Sequence, residues 1–172
     1  MAAGAADAAS FLGLLRAKAG LAFDLPTESQ WEYACRAGST NALNSGYSLT
    51  GTTSDSHLAE VGRYWFNGGS GYSQGGDASV GPAKAGSYLP NAWGLYDMHG
   101  NVWEWCLDWY GTYPDAASDP LGASSNQHRV LRGGSWSFQA YGCRSAFRYG
   151  GTPDNASNGA IGFRVVLPPN LQ

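Results

Sequence analysis

Two carboxylates bracket a Gly-Asn turn in the stretch DMHGNVWE, Asp97 to Glu104. Hard divalent cations take several oxygens at once. A turn can add main-chain carbonyls, here those of Gly100 and Val102, to the two carboxylates. Calcium is the chemistry this spacing suits. It equally suits a structural role, with Asp97 and Glu104 tying the loop through backbone N–H groups, and the residues alone leave both open.

Arg132, Arg144, Arg148 and Arg164 form a second set, all expected in strands. Arg144 and Arg148 share strand parity and are expected on one face. Guanidinium groups so placed make an anion site or staple loops through fork-shaped hydrogen bonds. The scarcity of other charges favours stapling, with Glu104, Asp108 and Asp154 as partners. His57, His99 and His128 are isolated, and no nucleophile elbow, zinc motif or phosphate loop is present. Cys35, Cys106 and Cys143 are far apart and lack zinc spacing, so they are expected as buried, reduced thiols.

A third set has no catalytic character. Ser137, Phe138, Gln139, Tyr141, Gly142, Phe147, Tyr149, Gly150, Gly151, Thr152, Ser157, Asn158 and Gly159 mix aromatics with Ser, Gly and Asn. Binding loops have this composition. Aromatics give contact area at low entropic cost, and small polar residues give adaptable hydrogen bonds. The plainer alternative is that Phe138, Phe147 and Tyr149 are core, since Phe147 alternates correctly for burial. A surface role predicts that truncating Phe138 and Tyr141 leaves stability nearly unchanged.

The elements that must position these residues are few. Apolar residues at helical spacing predict a helix over Ala8 to Ala19, stopped by Gly20. Thr27 and Gln30 form a capping-box pattern opening a second helix, with Gly38 as its C-terminal cap. Ser39 to Pro90 is polar, Gly-rich and weakly patterned, longer than a structureless loop should be. Val102 to Trp109 predicts a strand with Trp103, Trp105, Leu107 and Trp109 on one face. RVLRGGSW, CRSAFRY and IGFRVV read as three more short strands. The expected class is α+β: two helices, small antiparallel sheets and abundant loops, in one domain over residues 1–172.

Composition bounds the function. Charged residues are 13% of the chain, about half the usual share. With a net charge of −3 and no basic stripe, nucleic-acid binding is not expected. No apolar run suits membrane insertion by this segment. Met1 to Ala9 lacks the basic region of a signal peptide, so localisation is not encoded here.

LPTESQWEYACRAGS, LPNAWGLYDMHGNVWEWCLDWY, RVLRGGSW and TPDN followed by IGFRVV together resemble the formylglycine-generating-enzyme, or sulfatase-modifying-factor, family. The resemblance runs from about Phe11 to Val166 and implies a C-type-lectin-like fold, N-terminally short in this chain. Catalytic members hold copper through two cysteines, the first two residues after the aromatic of the GGS-aromatic motif. Phe138 stands at that position and Cys143 is the one thiol of the segment. Copper is therefore not expected, nor is the His cluster of the related iron enzymes present. The resemblance also implies a structural calcium ion held by Asp97 and Glu104 with the carbonyls of Gly100 and Val102.

Within the family the chain is most similar to the variable proteins of diversity-generating retroelements. Their frame reads RGGSW, CRSA-x-R, PDN and IGFR, and this chain has each motif between residues 129 and 166. Diversified patches fall between the frame motifs, here at Ser137–Gly142, Tyr149–Thr152 and Ala156–Ala160. The resemblance implies a non-enzymatic binder of a protein or cell-surface ligand, displayed through a segment outside this sequence. The alternatives are an oxidase of the formylglycine-generating type and a catalytically inactive structural member.

Overall fold

The computed structural model describes residues 6–68, 81–113, 122–154 and 159–167. Helix α1, Phe11–Ala19, is capped by the Ser10 side chain accepting from Gly13 N–H and ends at Gly20 in the left-handed region. Its apolar residues do not enter the core. Phe11 and Leu14 stay exposed, and Phe11 meets Phe163 edge-on. Helix α2, Glu28–Arg36, has the expected capping box. Its last turn closes at Ala37, itself left-handed, one residue before Gly38. Trp31 and Cys35 drive its buried side into the core.

Two further helices lie in the stretch that has little pattern, so the described residues hold four helices rather than two. Asp55 caps α3, Ser56–Val61, by accepting from Leu58 N–H. Its other oxygen takes the amide and hydroxyl of Thr50. Short helix α4, Trp65–Gly68, follows. Leu58, Val61 and Tyr64 fill one core cluster with Leu43, Ala140 and Cys143. A second cluster joins Trp31 and Cys35 to Met98, Cys106 and Val130.

The sheet comprises β1, Trp103–Trp109, β2, Arg129–Arg132, β3, Arg148–Gly151, and β4, Ile161–Gly162, in the order β3-β2-β1-β4. It is mixed, not purely antiparallel: β4 runs parallel to β1, pairing Trp103 with Ile161. The C-terminal strands are shorter than their motifs suggest. Ala140–Cys143 is a 3-10 turn, Arg144 precedes β3, and Arg164 follows β4. The expected shared face of Arg144 and Arg148 therefore does not exist. Arg144 is exposed and Arg148 half-buried.

Strand β1 has the expected alternation with its polarity reversed. Glu104, Cys106 and Asp108 point inward, while Trp105, Leu107 and Trp109 face out or lie half-buried. Buried carboxylates persist only with donors to satisfy them, and both have them. Arg164 and Trp31 hold Glu104, and the Glu28 amide donates to Asp108 at 2.6 Å. Trp103 is the exception on the outer face, at 5% exposure.

Candidate ligand-binding face

Trp103 is buried because aromatic residues of the C-terminal segment cover it. Phe138 meets its ring edge-on at 5.2 Å and Tyr149 stacks on it at 5.4 Å. Tyr141 contacts Phe138 at 5.5 Å and Phe147 at 5.6 Å. Phe138, Tyr141 and Phe147 are half-buried, while Tyr149 is 47% exposed. Ser137, Gln139 and Thr152 are exposed around them, as is Arg144, whose guanidinium lies over the Phe147 ring. The strand pattern of β1 contained Trp103, but nothing local marks it as the floor of this face. Arg144 at the rim was likewise assigned to a strand.

Three of the four glycines of the set have another role. A Cβ on Gly142, which is buried, would lie 2.2 Å from the Phe138 ring. On Gly151 it would meet Leu131 at 2.7 Å and the Trp105 ring at 2.8 Å. On Gly150 it would press on Tyr110 and His128 at 3.2 and 3.3 Å. These positions seat neighbouring rings and do not offer a side-chain site to solvent. Gly159 is exposed, and Ser157 and Asn158 lie outside the described residues.

Main-chain hydrogen bonds fix the segment beneath the side chains. Trp65 N–H donates to Phe138 O, Ala140 N–H to Thr53 O, and Tyr141 N–H to Thr52 O. Ser145 gives both its amide and its hydroxyl to Ala42 O. His99 completes the attachment from inside. Its Nδ1 lies 2.7 Å from Cys143 O, and Nε2 accepts the Asn44 amide at 3.0 Å. This pattern requires the neutral ring with its proton on Nδ1. Burial drives His99 down to about 4, consistent with that neutrality.

The arginines staple. Arg148 grips Glu28 with two nitrogens, donates to Gly111 O, and lies against the rings of Tyr110 and Tyr113. Buried Arg132 donates to Phe147 O and to Glu32, with Glu28 3.6 Å from its Nε. At 3.6 Å that last pair is a charge contact and not a hydrogen bond. Arg164 takes both oxygens of Glu104 at 2.6 Å. Glu104 was anticipated as a partner, whereas Asp154 is exposed and Asp108 accepts an amide instead.

Those contacts bear on calcium. Asp97, at φ 57°, accepts from Gly86 N–H through Oδ2. Its Oδ1 is buried without a hydrogen-bond partner among the described residues, as a cation ligand could be. Glu104 does not fit that role, because Arg164 and Trp31 already engage its carboxylate. A cation at Asp97, Gly100, Val102 and Glu104 would compete with Arg164 for the Glu104 carboxylate. Among the described residues no three His, Cys, Asp or Glu side chains cluster as metal ligands.

All three cysteines are buried and free. Burial pushes Cys35 and Cys143 up to about 12, and raises Cys106 well above its ordinary value. Burial thus favours the protonated thiol at neutral pH, the form that is a poor nucleophile. Cys35 lies on α2, Cys106 on β1 and Cys143 at the end of the 3-10 turn that follows Phe138.

Comparison with known proteins places this geometry. Residues 3–168 match the family described as the sulfatase-modifying factor enzyme 1-like domain. The formylglycine-generating enzyme of Streptomyces coelicolor is 38% identical over 159 residues, covering 86% of this chain and 47% of that protein. The inactive C-alpha-formylglycine-generating enzyme 2 of Mus musculus is 35% identical over 148 residues, covering 83% and 42%. Among solved structures, Treponema denticola variable protein 1 superimposes with a TM-score of 0.65 at 32% identity, covering 83% of this chain and 46% of that one. The chain thus spans about half the length of these relatives. With a C-type-lectin-like fold and a family match over nearly its whole length, the chain belongs to the sulfatase-modifying factor enzyme 1-like domain family.

Proposed function

We propose that this chain is a non-enzymatic ligand-binding protein, a variable protein of a diversity-generating retroelement, whose C-terminal face recognises a protein or cell-surface ligand. One observation carries the reading. The backbone of residues 137–147 is bonded to the scaffold at residues 42, 52, 53 and 65, while Ser137 and Gln139 on it, and Tyr149 and Thr152 just beyond it, are exposed. A loop already ordered loses less entropy on binding. Its half-buried aromatics and exposed polar groups are the mixture of a protein-binding surface. The likeness to Treponema denticola variable protein 1 supports the same reading.

The oxidase reading has family names on its side but lacks its chemistry in this segment. A two-thiolate copper site needs paired soft ligands. Here Phe138 fills one position, and the Cys143 thiol is buried and protonated.

Sequencing the genomic neighbourhood and many clonal copies of the gene's 3′ end tests the proposal. Substitutions confined to Ser137–Gln139, Tyr141, Phe147, Tyr149, Thr152 and Ser157–Gly159, beside a reverse transcriptase and a near-copy template, are expected. Identical copies without a template would overturn the diversified reading. Copper binding by the purified protein would restore the enzymatic one.

A further inference from the structure

A cavity of about 440 Å³ lies between α2, Tyr113 and Ala146. Helix α2 forms one wall, Tyr113 and Ala146 the other, and Asp108 lies at its floor. Ligand pockets begin at roughly 300 Å³, so this one has room for a single ring system.

Its charges are already matched. Glu28 is held by Arg148 and by the Tyr113 hydroxyl, and Glu32 by Arg36 and Arg132. Glu28 and Glu32 are thus each paired with guanidinium groups, those of Arg36, Arg132 and Arg148, and Asp108 accepts the Glu28 amide. An ion entering here loses hydration and gains no free partner, a net cost. The rest of the lining is two tyrosines, Tyr33 and Tyr113, with the small residues Ser29, Gly122 and Ala146. Tyr113 forms one wall, and Tyr33 stands at the mouth, 70% exposed, its ring edge-on to Trp93 at 4.9 Å. Trp93 is itself 49% exposed. Two large exposed rings in contact serve no packing purpose within the described fold, and such apolar surface marks an interaction site.

We infer that the cavity between α2, Tyr113 and Ala146 binds an uncharged aromatic ring, with Tyr33 and Tyr113 as its walls. The site does not depend on whether residues 137–152 vary. It adds an anchor pocket beside that face, suited to one aromatic side chain of a partner or to a free phenolic molecule.

The test is a titration of the isotope-labelled full chain with p-cresol, followed through the amide signals of Tyr33, Tyr113 and Ala146. Saturable shifts at these residues are expected, with benzylammonium and benzoate binding at least tenfold more weakly. Ala146→Trp, which fills the cavity from an exposed position, should abolish the shifts while the melting temperature holds. If that variant unfolds, Tyr33→Ala should weaken p-cresol binding about tenfold, since its exposed ring contributes little to the fold. Scattered or unsaturable shifts, or equal binding of the charged rings, would overturn the inference. An acetylated tyrosine tripeptide separates the two sources. Binding as tight as p-cresol assigns the site to a partner's side chain, and binding much weaker than p-cresol assigns it to a small molecule.

Discussion

The Arg148 guanidinium holds the Glu28 carboxylate through two hydrogen bonds, 2.8 and 2.5 Å long, across 120 residues of sequence. The pair locks β3, the edge strand that carries Tyr149, to the first turn of α2. Burial alone opposes the charge on Arg148, but Glu28 outweighs it and holds the guanidinium above its ordinary value.

Removing the guanidinium leaves Glu28 buried beside Arg132 with a lost partner. Arg148→Met should therefore cost roughly 3–5 kcal/mol, the usual penalty for breaking a buried pair. Arg148→Lys keeps the charge but loses the fork, so its cost should fall between wild type and Met. Urea unfolding of the three proteins measures both. Equal stability of wild type and Arg148→Met would show that the staple is dispensable.

Phe138 touches Trp103, Tyr141, Phe147 and Tyr149, and its ring covers Gly142. This corrects the expectation that the residue can be truncated freely. Phe138→Ala should lower stability by roughly 1–3 kcal/mol, part of the cost of a fully buried ring. Tyr149→Ala should stay within about 1 kcal/mol, since its ring is near half exposed. Thermal melts of the two variants should differ in that order.

His99 makes stability depend on pH. Its value falls from 6.5 to about 4 on folding, chiefly by burial, with the Arg36 charge pushing the same way and Cys143 O opposing. As pH falls below 6.5 the unfolded chain takes up a proton that the folded chain refuses. The stabilisation is full above about 6.5 and is lost toward pH 4, on the order of 3 kcal/mol in all. Asp55 is held below its ordinary range, so its contribution is lost only at lower pH. Melting temperature from pH 7 to 4 should fall in wild type and stay flatter in His99→Gln.

Calcium should have little effect. Because Arg164 and Trp31 occupy Glu104, millimolar calcium in place of chelator should raise the melting temperature by less than about 2 °C, under ~1 kcal/mol. A rise of several degrees would show that the ion displaces Arg164 and completes the site with Asp97.

What could be read from the sequence was local. The Thr27–Gln30 capping box and the alternation of β1 lie in neighbouring residues, and both are present. Helices α3 and α4 are too short for periodicity to reveal, and the Asp55 cap sits within a Gly- and Ser-rich stretch. The inward turn of Glu104 and Asp108 depends on Arg164 and the Glu28 amide, 60 and 80 residues away. The aromatic and polar members of the face were visible as composition. The packing duty of Gly142 and Gly151 was not, because the Phe138 and Trp105 rings that impose it are brought there by the fold.

Trp103 carries an optical consequence. It is the indole that lies beneath Phe138 and Tyr149, screened from water by side chains that a bound ligand would touch. Trp31, by contrast, is sealed between Arg132 and Glu104 in the core. Occupation of the face would alter the surroundings of Trp103 and spare Trp31, so of the seven indoles these two would serve as a reporter of binding and an internal reference once the other five are replaced.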